Sequence, residues 1–166
     1  MANTAKKVEM GANIAIIIAA MMVGVLFVKN YTGSRPQTAH QIAVGTKFAL
    51  QDINWNTKEK NIVFALSTTC HFCSESAGFY REVSRVCKEQ HIRTIAIFPQ
   101  PVAAAEEYMK KLGVEFDEVR QASLSGLEIS GTPTLLFIDN GGLVRNVWIG
   151  KLPTGSEQEI LAKARS

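Results

Sequence analysis

Two of the chain's three cysteines, Cys70 and Cys73, flank His71 and Phe72 in a Cys-x-x-Cys arrangement. The run before them, Asn61 to Leu66, is short, apolar and β-prone. The run after them, through about Gln90, sets Phe72, Phe79, Val83 and Val86 at helical spacing. Cys70 is therefore expected at or just before a first helical turn, where unpaired backbone N–H groups and the positive end of the helix dipole favour a thiolate. Cys73 follows one turn later, within reach of a mixed disulfide formed at Cys70. These residue types at this spacing suit thiol–disulfide exchange, with Cys70 as nucleophile and Cys73 as resolving thiol.

A zinc site fits less well. Structural zinc takes four Cys/His ligands, and finger or ribbon sites supply a second close pair. Only Cys87 remains among the cysteines, and His40, His71 and His91 form no pair at ligand spacing. No metal and no cofactor are expected. Cys87 lies on the same expected helix as Cys73, about 21 Å further along its axis, beyond disulfide reach. It reads as a core thiol. His71, if cationic and close to Cys70, would stabilise its thiolate and make a disulfide more oxidising. The plainer alternative is an exposed loop residue. His40 and His91 read as surface residues, and Trp55 and Trp148 as packing residues.

Around the motif, strand-like and helix-like runs alternate. Phe48 to Leu50 is a short extended piece, and Asp52 to Lys60 reads as turn and loop. Ile62 to Leu66 is a strand, and the helix opened by the cysteine motif ends near Glu89. Ile92 to Phe98 is a second strand, apolar enough for both faces to be covered. Pro101 opens a helix over Val102 to Leu112, and Gly113 stops it. Leu135 to Asp139, the turn signal Asn140-Gly141-Gly142 and Leu143 to Ile149 form a hairpin. Ser156, with Glu159 three residues on, predicts a capping box for a last helix. The order β-α-β-α-β-β-α implies a mixed α/β sheet with helices on both faces, its first two strands parallel.

The amino-terminal part differs in kind. Met10 to Val28 carries no charge, and as a helix it spans about 28 Å, near the hydrocarbon thickness of a bilayer. Its length exceeds a signal-peptide core, and no Ala-x-Ala site follows it, which favours an uncleaved anchor. Lys6 and Lys7, set against Glu9, precede the run, and Lys29 and Arg35 follow it. This balance tips the amino terminus towards the cytoplasm and the carboxy-terminal domain outside. The expected organisation is a tail at 1–9, a transmembrane helix at 10–28, a polar linker at 29–43 and an independent domain at 44–166. The net charge of +3 is scattered, with no basic stripe, so nucleic acid is not an expected partner.

The pairing of Cys70-His71-Phe72-Cys73 with Gly131-Thr132-Pro133, ahead of a strand and a Gly-turn hairpin, resembles a thioredoxin fold. With the apolar amino-terminal run and Gly45-Thr46-Lys47-Phe48, the chain most resembles membrane-tethered TlpA/ResA-like thiol-disulfide oxidoreductases of the redoxin/AhpC-TSA superfamily. The resemblance spans about residues 44–164. It implies a cis Thr132–Pro133 bond facing the dithiol, with Thr132 and Pro133 receiving an extended substrate peptide. It also implies a single-pass protein of the cell membrane whose domain faces the periplasm or cell exterior. Its partners would be protein thiols and disulfides and a membrane electron donor or acceptor. The chain departs from the family in four places. Thr69 stands where Trp is usual, and His71-Phe72 where many members carry Pro. Ser76 stands at the family's helical Glu, with Glu75 one position early, and Phe64 at thioredoxin's buried acid. No carboxylate is thus placed to take the Cys73 proton.

Two other functions compete. A peroxiredoxin-type thiol peroxidase would need a distant arginine, and Arg145 stands at a comparable separation. However, Val63 and Ser67 replace the Pro and Thr of the peroxidase motif. A non-catalytic binding or sensor module would keep the fold and use the dithiol otherwise.

Overall fold

The computed structural model describes residues 21–23 and 41–166. The chain divides into two units, Met1–Thr38 and Ala39–Ser166. Of the first, residues 21–23 are helical. The expected tail and most of the expected anchor and linker lie outside the described residues. Among the described residues, no helix is long and apolar enough to cross a membrane.

The second unit is built on five strands: β1 (Lys60–Ala65), β2 (Arg93–Phe98), β3 (Glu118–Gln121), β4 (Thr134–Asp139) and β5 (Val144–Ile149). They lie in the order β3-β2-β1-β4-β5, with β1 at the centre. β1 runs parallel to β2 and β2 to β3, whereas β4 and β5 are antiparallel additions. β1 is buried along almost its whole length, which its run of Ile62-Val63-Phe64-Ala65 requires of a strand covered on both faces.

Four α-helices accompany the sheet: α1 (His71–Glu75), α2 (Ala77–Glu89), α3 (Val102–Leu112) and α4 (Thr154–Arg165). All four place buried residues in one cluster with Ile62, Phe64, Phe98 and Phe137, the short α1 through Cys73. Tyr80 and Val83 come from α2, Ala105 and Met109 from α3, and Ile160 and Ala164 from α4. The opposite face, through Val63, Ala65, Ile95 and Leu136, packs on Ile42, Phe48, Ile129 and two 3-10 turns. These turns are Trp55–Thr57 and Ser125–Leu127. The expectation of helices on both faces holds only in part: the α-helices cover one face, and loop and two 3-10 turns cover the other. The reason is topological. Successive right-handed crossovers from β1 to β2 to β3 move the same way across the sheet and put both helices on the same side.

Other expectations need adjustment. The linker boundary at 43 is too late: Ile42 is buried in the second cluster, and its N–H donates to Glu128 O at 2.9 Å. The cysteine helix is not continuous. It breaks at Ser76, whose hydroxyl donates back to Phe72 O at 2.9 Å, the kind of four-residue return that bends helices. The capping box at Ser156 does not form, because the helix starts two residues earlier. Pro153 is extended at the cap, and its carbonyl accepts from the N–H groups of Ser156 and Glu157. β3 has no strand signal in the sequence. Glu-Val-Arg-Gln is short and charged, and it forms an edge strand in which Glu118 is paired with both Arg93 and Arg120. Gly113, by contrast, stops α3 as expected, in the left-handed conformation at φ 63°.

Gly142 at the hairpin turn has φ +80°, and a Cβ built on it would lie 2.7 Å from Trp55 Cδ1. Gly142→Ala therefore combines backbone strain with a clash against a packed indole. Urea unfolding of this variant is expected to show a loss of about 1–3 kcal/mol. An unchanged midpoint would contradict this account of the turn.

Candidate active site

The dithiol stands where β1 gives way to α1. Cys70 is the N-cap residue of α1, extended at φ −86° and ψ 114°. Its sulfur accepts the Cys73 N–H at 3.2 Å, taking the place that a serine or aspartate oxygen usually fills. The Cys70 thiol in turn donates to Thr132 O at 3.3 Å. All three cysteines are free thiols, Cys70 half-buried and Cys73 and Cys87 buried.

The loop before Cys70 is held from β2's side. Gln100 Nε2 donates to Ser67 Oγ at 2.9 Å, and Thr68 N–H donates to Gln100 Oε1 at 3.3 Å. Cys70 N–H closes the turn onto Ser67 O at 3.1 Å. On the other side, the Thr132–Pro133 peptide is cis, and Thr134 Oγ1 donates to Gly131 O at 2.7 Å. Pro133 O accepts the Gly150 N–H at 2.7 Å, tying this loop to the end of β5. Thr132 is half-buried and Pro133 buried. Register explains why the two loops meet: Ala65 at the end of β1 lies opposite Thr134 at the start of β4.

Motif residues His71 and Phe72 both face solvent. Phe72 is 52 % exposed, an uncovered aromatic ring beside the dithiol. His71 Nε2 lies 3.1 Å from Glu75 Oε1, and Lys151 Nζ lies 2.8 Å from Glu75 Oε2. The imidazole is thus engaged with a carboxylate along α1. Lys151 holds the Glu75 carboxyl below its ordinary range, with His71 adding to the effect. Glu75 therefore serves the surface and leaves the interior side of Cys73 without an acid.

Cys73 sits in a different medium. Burial, reinforced by its hydrogen-bonded neighbour Cys70, pushes its thiol up to about 12. Cys87 is likewise pushed up to about 12 by burial, with the Asp117 carboxylate adding to it, and it belongs to the core cluster. Arg145 does not approach the dithiol. It pairs with Asp139 at 2.7 Å, and Asp139 lies opposite Lys60, at the other end of the β1–β4 pair from Thr134. That separation is about 16 Å along the strand, so Arg145 fastens the hairpin and the peroxidase reading loses its arginine. Gln100 was invisible in sequence, because nothing between Phe98 and Val102 marks it as a clamp on residues so distant. Among the described residues, no cluster of three or more His, Cys, Asp or Glu could hold a metal ion.

A central strand leading into Cys-x-x-Cys at a helix start, faced by a cis-proline loop within a mixed five-stranded sheet, defines a thioredoxin-like fold. Solved structures share it. One is a protein of Chlorobium tepidum provisionally named thiol:disulfide interchange protein DsbE, at TM-score 0.61 and 16 % identity over 76 % of this chain and 100 % of the other. The thioredoxin domain of a thiol-disulfide oxidoreductase from Bacteroides vulgatus matches at 0.60 and 12 %, over 76 % and 100 %. StoA from Bacillus subtilis matches at 0.52 and 15 %, over 71 % and 94 %. No family model and no curated protein sequence matches the chain.

Two outcomes follow from the unequal burial. Brief iodoacetamide treatment near pH 8, followed by peptide mass mapping, is expected to label Cys70 alone. A thiol raised to about 12 is ionised there in only about one molecule in 10⁴, and burial blocks access further. Equal labelling of Cys73 would overturn the assignment. Cys87 also makes stability depend on alkaline pH. Its folded value is raised, so its contribution is complete below the unfolded thiol's ordinary range. That contribution is lost as pH rises from about 9 towards 12, by at most about 1.4 kcal/mol per unit. Urea titrations of Cys87→Ala are expected to show a shallower alkaline decline than the parent.

Proposed function

We propose that the protein is a membrane-tethered thiol-disulfide oxidoreductase acting on protein substrates. One observation carries the reading: a half-buried Cys70 sulfur caps a helix and accepts the Cys73 N–H, with its partner thiol buried one turn behind. Backbone N–H groups at a helix start stabilise the charge that Cys70 bears as nucleophile or leaving group. In the reducing direction Cys70 thiolate attacks a substrate disulfide. One substrate sulfur leaves as a thiolate and takes up a proton, while the other forms a mixed disulfide with Cys70. Cys73 then attacks Cys70 Sγ, and the second substrate sulfur departs as a thiol. Phe72 and the Thr132–Pro133 loop form the surface that meets the substrate chain. The names of the fold's neighbours, thiol:disulfide interchange protein and thiol-disulfide oxidoreductase, agree with this chemistry.

The uncharged run Met10 to Val28 supports single-pass anchoring, and the distribution of lysines supports a domain facing the periplasm or cell exterior. A membrane electron donor or acceptor then restores the dithiol or the disulfide.

Expression of Cys73→Ser in the native host is expected to accumulate disulfide-linked adducts on non-reducing gels. Reductant should release them, and they should be absent when Cys70 is also replaced by Ser. If Cys73→Ser captures no protein, the proposal fails. Direction is read from the potential of the Cys70–Cys73 pair: a reductase is expected near the ~−270 mV of thioredoxin, an oxidase towards ~−120 mV.

A further inference from the structure

The turn that leads into the dithiol, Ser67-Thr68-Thr69, is met by the side chain of Gln100, just past the end of β2. Gln100 Oε1 accepts the Thr68 N–H at 3.3 Å, and its Nε2 donates to Ser67 Oγ at 2.9 Å. A backbone N–H can only donate, so the Thr68 contact fixes which end of the amide is the oxygen. Ser67 Oγ also accepts the Thr69 N–H at 3.3 Å. With both lone pairs engaged, the Ser67 hydroxyl turns its own proton to Thr69 Oγ1, 3.1 Å away. The Ser67 hydroxyl is thereby saturated, and the turn has one hydrogen-bonding pattern.

Gln100 is itself firmly carried. It is half-buried and stands between Pro99 and Pro101. Pro99 has its own φ fixed by the ring, and Pro101 biases Gln100 to extended backbone. Pro99 O accepts Gln121 Nε2 at 3.3 Å, and Pro101 O accepts the Ala105 N–H at 3.0 Å as α3 begins. From Ser67 to the nucleophile is one further bond: Ser67 O accepts the Cys70 N–H at 3.1 Å. Cys70 is held extended, and in that conformation its sulfur accepts the Cys73 N–H at 3.2 Å and its thiol donates to Thr132 O at 3.3 Å. Ser67 is therefore tied by its side chain to Gln100 and by its carbonyl to Cys70.

We propose that Gln100 is a positioning residue for thiol exchange, setting the place of the Cys70 sulfur through Ser67; the role rests on the thiol-exchange reading above. Gln100 acts by fixing the turn, which keeps the Cys70 sulfur on the Cys73 N–H. A thiolate accepts that hydrogen bond more strongly than a disulfide sulfur does, so the clamp favours the reduced pair. Without the clamp Cys70 is free to leave the cap, and the balance moves towards the disulfide.

The full-length chain, equilibrated with reduced and oxidised glutathione and read by alkylation and peptide mass mapping, gives the equilibrium constant directly. Cys70 and Cys73 lose two electrons and two protons to oxidised glutathione, so one disulfide bond forms in the protein and two glutathione thiols are released. Gln100→Met keeps the side-chain length and removes both hydrogen bonds. It is expected to shift the constant about tenfold towards the Cys70–Cys73 disulfide, a potential ~30 mV lower. Ser67→Ala removes the other side of the same contact and is expected to shift it in the same direction, and the double variant by less than the sum of the two. Ser67→Ala also carries the test if Gln100→Met does not fold. Gly142→Ala, which strains the far end of the β4–β5 hairpin, is expected to lower stability and leave the constant in place. A constant unmoved by Gln100→Met and Ser67→Ala would overturn the assignment, as would an equal shift in Gly142→Ala. Glutathione needs no protein partner, so the outcome is independent of whether Cys73→Ser captures a substrate.

Discussion

The hydrogen bond from the Cys73 N–H to the Cys70 sulfur makes that sulfur part of the backbone architecture. Cys70 can cap α1 only because its own backbone is extended, and that conformation is set by the loop running out of β1. The loop is fastened twice, by Gln100 from the end of β2 and by the turn onto Ser67 O. The facing loop is carried by β4, β1's other neighbour. The site therefore requires the three central strands in register, and the rest of the sheet keeps that register. On the thiol-exchange reading proposed above, a nucleophile placed in this way would be ordered before any substrate arrived, and little rearrangement would be needed as charge formed on it.

The two thiols differ in their solvation. Cys70 is half-exposed and surrounded by backbone donors and acceptors, whereas Cys73 lies among apolar and phenolic groups. Desolvation raises the Cys73 thiol and keeps it protonated, which on the proposed reading would hold it in reserve until a mixed disulfide formed at Cys70. The surface around the dithiol follows another logic. Glu75 joins His71 and Lys151 in an exposed polar chain, leaving Phe72 as the uncovered apolar side chain.

Much of this was legible in the residues. The helix start at Cys70, the αL stop at Gly113 and the Asn-Gly-Gly hairpin are local signals, set by side chains within a turn of one another, and they lie where the spacing puts them. The thioredoxin-like arrangement followed from the pairing of the dithiol with Gly-Thr-Pro. What failed to show was non-local. β3 has no apolar alternation because it is an edge strand satisfied by ion pairs. Ile42 reads as part of a polar tether until the sheet's second face is seen to need a cover. The break at Ser76 depends on where one hydroxyl donates. Arg145 had the right separation in sequence but pairs with Asp139 at the wrong end of the sheet.

Strand order has a consequence for biosynthesis. The central strand β1 is made first; β2 is its next neighbour to emerge, and β4 arrives only after β3 and the connection that follows it. Both active-site cysteines are thus synthesised well before the loop that faces them. Until Thr132 joins the fold, the Cys70 thiol lacks its carbonyl partner and one side of β1 is an open edge. The interval in which a nascent chain is open to stray oxidation or mispairing is set by the delay between β1 and β4. A chain built in this order gains from emerging beside a reducing or chaperoning partner.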